Sequence, residues 1–270
     1  MTAIPQAPPV QPMGAGDAPL AILLDYDGTV AQTDVGDMVM AEHVTAGWEP
    51  IVAAYDAGRV GSRRTMEAEL DLLRATEDEL MATAVAQPHD PGVRTLARRA
   101  AAAGIPVEIV SDGFAFYIPD AMAALGLADL PLVAASTTFA GDRARIGFPN
   151  GHPSCFVCGT CKRQRVLAHQ AAGRAVIFVG DGESDRYAAG YADFVFAKRS
   201  LVRICIEAGW PFERWTEFLE IDAWLAQVLE AWRRDPGTLP APMARPFFCG
   251  PEVWGDGPTD PPAGARPPAK

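Results

Sequence analysis

Short apolar runs alternate along this chain with segments whose apolar residues recur every three or four positions. Residues 21–24 (Ala-Ile-Leu-Leu), 107–110 (Val-Glu-Ile-Val), 132–135 and 174–179 are too short and too continuously apolar for amphipathic helices, and they read as buried strands; 193–197 is a further one. Between them, Met66, Leu70 and Leu73 fall at i, i+4, i+7, and Thr76 with Glu79 forms a capping box that opens the next helix. Residues 92–103 read as a helix stopped by Gly104, and helices are also expected over 114–125 and 162–169. Ile221, Trp224, Leu225, Val228, Leu229 and Trp232 mark one more, with its tryptophans as packing residues. Residues 138–149, with Gly141-Asp142 at the turn, read as a β-hairpin. Strands alternating with helices predict an α/β fold, a parallel sheet flanked by helices.

The strand ends carry the chemistry. Asp25-Tyr-Asp-Gly-Thr29 follows the first run, Ser111-Asp-Gly113 the second, and Gly180-Asp-Gly-Glu-Ser-Asp185 the run at 174–179, while Lys162 opens a helix. Ligands bind at the carboxyl ends of strands in open parallel sheets, so Asp25, Asp27, Ser111, Asp181 and Asp185 are expected to meet. Carboxylates gathered in this way repel one another unless a cation lies among them, and oxygen ligands with open water positions suit Mg2+. Beside such a site, a serine hydroxyl, turn amides and the Lys162 point charge suit a phosphate group. Asp25 is the candidate nucleophile, able to form an aspartyl-phosphate, and Asp27 the candidate general acid and base. A single Asp at a strand end is more often a loop or helix cap; the ordered set is what argues for catalysis.

These islands resemble the motifs of haloacid-dehalogenase-superfamily phosphatases: Asp25–Thr29 the first, Ser111 the second, Lys162 the third and Gly180–Asp185 the fourth. Residues 111–118, 158–162 and 192–198 look like the branch that holds phosphoserine phosphatase and the methionine-salvage phosphatase for 2-hydroxy-3-keto-5-methylthiopentenyl 1-phosphate, the salvage type in particular. The resemblance covers residues 20–225 and implies a Rossmann-like sheet of order 3-2-1-4-5, with the first motif central. It implies Mg2+-dependent hydrolysis of a small phosphorylated metabolite. Asp25, Asp181 and the backbone carbonyl of Asp27 would ligate the ion, with Asp185 beside or just behind them. Ser111 and the amides of Asp112 and Gly113 would hold the phosphate. Asp34, nine residues past Asp25, matches an acid that faces the substrate amino group in phosphoserine phosphatases; a solvated acid or a helix cap is the alternative. Asp112 stands where those enzymes carry glycine. A phosphotransferase is the second reading, and a non-catalytic phosphate-binding protein a third, opposed by the intact acidic set.

Composition narrows the partners. The 270 residues are 49% hydrophobic and 21% charged, with a net charge of −11. That balance is a globular protein's, and the negative charge argues against nucleic acid. No apolar run approaches a membrane span, no leader pattern opens the chain, and a cytoplasmic protein is expected; oligomeric state is left open. Residues 1–19 and 235–270 are proline-rich and read as a disordered lead and tail, although Phe247, Phe248 and Trp254 are unusual for disorder. The long stretch between the first two motifs predicts a helical cap at 36–88, inserted into a core of 20–35 and 89–234. Three of the five cysteines crowd before Lys162: His152, Cys155, Cys158 and Cys161 could hold zinc, but lack two separated ligand pairs, and plain thiols are the preferred reading. Glu183 is expected to be exposed.

Overall fold

The computed structural model describes residues 5–153 and 155–239. Strand β1 (Leu20–Leu24) is buried along its whole length and leads through a tight turn into four helices: α1 (Val35–His43), α2 (Glu49–Asp56), α3 (Ser62–Leu72) and α4 (Glu77–Val85). Helix α5 (Val93–Ala102) then returns the chain to β2 (Val107–Val110), followed by α6 (Ile118–Ala124) and β3 (Leu132–Val133). The hairpin β4 (Ser136–Ala140) and β5 (Arg143–Gly147) precedes α7 (Lys162–Ala171) and β6 (Ala175–Gly180). Last come α8 (Arg186–Ala189), β7 (Phe194–Ala197), α9 (Arg199–Ala208), β8 (Glu213–Arg214) and α10 (Phe218–Arg234).

Six strands form a parallel sheet of order β3-β2-β1-β6-β7-β8. Leaving out the hairpin, this is the implied 3-2-1-4-5 order with one added edge strand. That edge, Glu213–Arg214, has no apolar run by which to find it. Side chains of β1 alternate between the two faces: Leu20, Ile22 and Leu24 join the core under α5, α6 and α10, whereas Ala21 and Leu23 join the core under α7, α8 and α9. Burial on both faces explains why the strands read as continuous apolar runs.

Several expectations shift by a turn. The helix sought at 114–125 begins only at Ile118, because Pro119 fits the first helical turn and not the interior, and Ala115 before it holds a φ of 61°. The strand sought at 132–135 is two residues long. The hairpin turns as predicted at Gly141 (φ 65°), and the Thr76–Glu79 capping box is present. Residues 5–19, read as a disordered lead, are instead tied down by polar side chains of the core. Proline-rich chain is short of donors but keeps its carbonyls, and the core uses three of these together with the Ala7 amide, which donates to Asn150 Oδ1 (2.7 Å). Asn150 Nδ2 donates to the Pro5 carbonyl (3.1 Å), Arg165 Nη1 to that of Pro8 (3.0 Å) and Arg174 Nη1 to that of Gln11 (2.7 Å). Phe247, Phe248 and Trp254 lie outside the described residues, among which no helix is long and apolar enough to cross a membrane.

One buried ionic cluster locks a helix to the sheet. Glu108 of β2 accepts from Arg165 Nε (2.8 Å) and Nη2 (2.5 Å) and lies 3.0 Å from His169 Nε2, both on α7. Burial pushes the Glu108 carboxyl up, but the His169 and Arg165 bonds outweigh it and hold the group below its ordinary 4.5. Glu108→Ala leaves the Arg165 charge buried without its partner and should cost about 3–5 kcal/mol in urea unfolding. Because the folded value is depressed, Glu108's contribution is complete above pH 4.5 and disappears as pH falls through the folded value. The gap between wild type and variant should therefore close on acidification; a gap independent of pH would contradict the assigned pairing.

Candidate active site

Strand β1 delivers Asp25 into the sheet's carboxyl edge, where its N–H donates to the Val179 carbonyl of β6 (3.0 Å). The residue is 4% exposed, and its Oδ1 accepts from the Tyr26 amide (2.8 Å) and from Lys162 Nζ (2.6 Å). The chain then turns over residues 26–30 with Gly28 at φ 68°. A Cβ at Gly28 would also overlap Asp181 Oδ2, so glycine is needed there for conformation and for space. Thr29 Oγ1 donates to Asp181 Oδ1 (3.3 Å), stitching the first motif to the fourth.

Asp27 is held differently. Its Oδ1 accepts from the Tyr117 hydroxyl (2.9 Å) and the Val35 amide (3.2 Å). Burial pushes its carboxyl up to about 8; the Asp34 charge adds to this and the two donors oppose it. Tyr117 was missed at the sequence level because its stretch was read as helix interior, whereas it stands in the turn before α6. Asp34 caps α1, accepting the Asp37 amide at 3.0 Å, and also lines the cavity above the site.

Lys162 heads α7 and is 3% exposed, with Nζ 2.6 Å from Asp25 Oδ1, 2.7 Å from Asp185 Oδ1 and 3.1 Å from Ser184 Oγ. Burial pulls its pKa down, but the charges of Asp185, Asp25 and Asp112 outweigh that and raise it. Asp185, wholly buried, accepts the Asp181 and Gly182 amides at 2.8 and 3.0 Å. Asp25, Asp181 and Asp185 each offer an oxygen within 4.8 Å of the others. Burial and the Asp185 charge raise Asp25 well above its ordinary value and Asp181 to about 6. Lys162 does not balance this trio, and a hard cation among the three oxygens would relieve the repulsion. Arg199, a second residue missed in the sequence, reaches Asp181 Oδ2 from the side (3.1 Å) and the Gln32 carbonyl (2.6 Å). Its short-range context, the start of α9, gives no sign of partners 18 and 167 residues away.

Ser111, fully buried, ends β2, and its Oγ accepts the Gly113 amide (3.1 Å). The Asp112 side chain turns to the inserted helices: Oδ2 accepts from Ser62 of α3, and Oδ1 accepts the Thr160 amide (2.7 Å). Ser62 Oγ in turn accepts the Gly159 amide (3.2 Å), so Asp112 fastens both α3 and the loop before Lys162. The cysteines lie in that loop. Among the described residues, the acidic trio is the group whose metal-ligating atoms converge within 4.8 Å; His152, Cys155, Cys158 and Cys161 do not gather in this way. Glu183 is half-buried and paired with Arg186 and Arg203, not solvated as expected, because the fourth-motif turn folds it back against α8 and α9. Over the motifs lies a cavity of about 290 Å3, roofed by α1, α2 and α3.

A family described as haloacid dehalogenase-like hydrolase matches residues 22–190. The chain is 24% identical over 213 residues to a 2-hydroxy-3-keto-5-methylthiopentenyl-1-phosphate phosphatase of Brevibacillus brevis, covering 77% of this chain and 96% of that protein. A protein of the same name from Geobacillus thermodenitrificans is 28% identical, with 75% and 93% covered. Among solved structures, a phospho-aspartyl intermediate analogue of phosphoserine phosphatase superposes with a TM-score of 0.57 at 15% identity, covering 78% of this chain and 98% of that one. The T. onnurineus phosphoserine phosphatase does so with a TM-score of 0.57 at 16% identity, over 78% and 96%. These likenesses show a shared fold.

Gly28→Ala puts a methyl group against Asp181 and forces an unfavourable φ, so it should destabilise by about 1 kcal/mol or more in urea unfolding. Because Asp181 must shift, Mn2+ affinity, followed by electron paramagnetic resonance, should also weaken. An unaltered affinity in a folded Gly28→Ala protein would separate that turn from cation binding.

Proposed function

The chain belongs to the haloacid dehalogenase-like hydrolase family, and we propose that it is a Mg2+-dependent phosphomonoesterase acting on a small phosphorylated metabolite through an aspartyl-phosphate. The observation that carries the reading is the contrast between two carboxyls facing one cavity. Asp25 is paired with the Lys162 ammonium, whereas Asp27, two residues on, is held by the Tyr117 hydroxyl and the Val35 amide, with its carboxyl pushed up to about 8. The reaction needs two carboxyls so differently held.

Asp25 Oδ1 is taken by Lys162 and the Tyr26 amide, while Oδ2 accepts no hydrogen bond among the described residues and would attack phosphorus. As the new O–P bond forms, the P–O bond to the alcohol breaks, and Asp27 passes its proton to the departing oxygen. Water then attacks the aspartyl-phosphate, Asp27 takes its proton, and the O–P bond to Asp25 breaks to release inorganic phosphate. Tyr117 and the Val35 amide keep Asp27 aimed through both halves. Lys162 offsets charge on the phosphoryl oxygens, and Ser111 with the Gly113 amide would hold one of them. Asp25, Asp181, Asp185 and the Asp27 carbonyl would hold Mg2+, which neutralises phosphate charge and lets Asp25 stay ionised. The helices of 36–88 would act as a cap that excludes water from the aspartyl-phosphate. The names of the relatives support 2-hydroxy-3-keto-5-methylthiopentenyl 1-phosphate as one candidate substrate.

Hydrolysis of p-nitrophenyl phosphate should stop in excess EDTA and return with Mg2+. Asp25→Asn should lower kcat by several orders of magnitude with an unchanged circular-dichroism spectrum. Asp27→Asn should behave in another way. p-Nitrophenolate leaves without a proton, so this variant should release a burst of about one nitrophenolate per chain and hold a hydroxylamine-sensitive phosphoenzyme. Residual turnover above about a tenth in Asp25→Asn would refute the covalent route.

A further inference from the structure

The wall of the cavity away from the motifs is strongly acidic. Asp34 and Asp37 at the start of α1, Asp56 at the end of α2 and Glu69 of α3 all line it. Asp34 is committed as a helix cap; the others are not. The cationic side chain that lines the same cavity is that of Arg199, and its guanidinium is spent on Asp181 and the Gln32 carbonyl. A phosphate needs positive charge, which the motif side supplies. The acidic wall therefore faces the other end of the substrate.

Glu69 gives that wall a requirement of its own. It is 7% exposed, lines the cavity, and its side chain makes no hydrogen bond or ion pair among the described residues. Its carboxyl oxygens open to the cavity instead of being sealed in the core, so the partner they take comes from the cavity. Burial, then the charges of Asp37 and Asp34, raise its carboxyl to about 8; burial and Asp34 raise Asp37 to about 7. A metal ion does not fit this wall. Among the described residues no three of these carboxylates bring oxygens within 4.8 Å of one another, so they surround a larger cation rather than cage a small one. Tyr55 and Phe114 line the same space, and aromatic faces attract organic ammonium groups.

We propose that Asp37, Asp56 and Glu69, with Tyr55 and Phe114, form a subsite for an organic ammonium group, which selects phosphate monoesters of amino or quaternary-ammonium alcohols that carry no carboxylate. The proposal rests on the phosphomonoesterase reading and specifies its leaving group. It departs from the names of the relatives: 2-hydroxy-3-keto-5-methylthiopentenyl is a name without an amine, and the carboxylate of phosphoserine would face Asp37, Asp56 and Glu69 with no free cation beside it.

Binding to the full-length Asp25→Asn protein with Mg2+ tests the subsite apart from turnover, since that variant leaves its ligand intact. Isothermal titration compares phosphocholine with 3,3-dimethylbutyl phosphate, a neutral ester of the same shape, and with phosphoethanolamine and phosphoserine. One or both ammonium esters should bind about tenfold or more tighter than the neutral ester, and phosphoserine weaker than either. The stronger of the two identifies a quaternary or a primary ammonium. Adding Glu69→Gln, and separately Asp37→Asn, should shrink the phosphocholine preference by about tenfold; if one of them fails to fold, the other decides. Equal binding of charged and neutral esters, or a preference untouched in the folded variants, overturns the subsite. Absence of p-nitrophenyl phosphate hydrolysis by the wild type, with the preference intact, would overturn the catalytic reading and leave the subsite standing.

Discussion

One buried ammonium holds the site together. Lys162 Nζ reaches Asp25 at the end of β1 and Asp185 beyond the end of β6, so a single charge joins the first and fourth motifs across adjacent strands. Two carboxylates this deep in the protein need a counter-charge whose position is fixed, and most of the surrounding structure fixes it. Helix α7 carries Lys162 and is anchored by Glu108 through Arg165 and His169. The Cys161 amide ahead of it donates to the Asn150 carbonyl (2.9 Å), while the Asn150 side chain binds Pro5, Ala7 and Ala134. The ammonium still leaves the acidic trio short of positive charge, which is why the same geometry that seats a lysine also suits a divalent ion.

Asp25 and Asp27 share a turn but not an environment. Asp25 looks toward Lys162 and the core; Asp27 looks toward Tyr117 and the start of α1. The turn over residues 26–30 sets the two side chains against different partners.

Much of this was legible because its signals are local. A strand buried on both faces shows as an apolar run, and a carboxylate one residue past it shows as a strand-end acid; both can be read within five residues, as in Leu20–Leu24 followed by Asp25. What escaped depends on distance along the chain or on an ambiguous period. Tyr117 looked like one more helix position until Pro119 set the true start. Arg199 meets Gln32 across 167 residues, and Ser62 meets Asp112 across 50. The docking of residues 5–11 rests on backbone groups, three carbonyls and the Ala7 amide, which no side-chain pattern reports. Glu69 was hidden for a different reason: on an amphipathic helix a glutamate among polar neighbours reads as solvated, and only the roof of a cavity makes it buried.

The hydrogen bond from Ser62 to Asp112 also bears on how such a protein can change over time. The helices over the cavity join β1 to β2, and stretches that connect strands vary more than the sheet they connect. Here such exchange meets a constraint. Asp112, in the turn after β2, uses its other oxygen to hold Thr160, two residues before the lysine. A transplanted roof without a hydroxyl in register with Ser62 would leave that carboxylate half-bonded at the very point where the second and third motifs meet. Point changes on the roof's inner wall avoid this constraint, and specificity can drift there while the machinery below stays still.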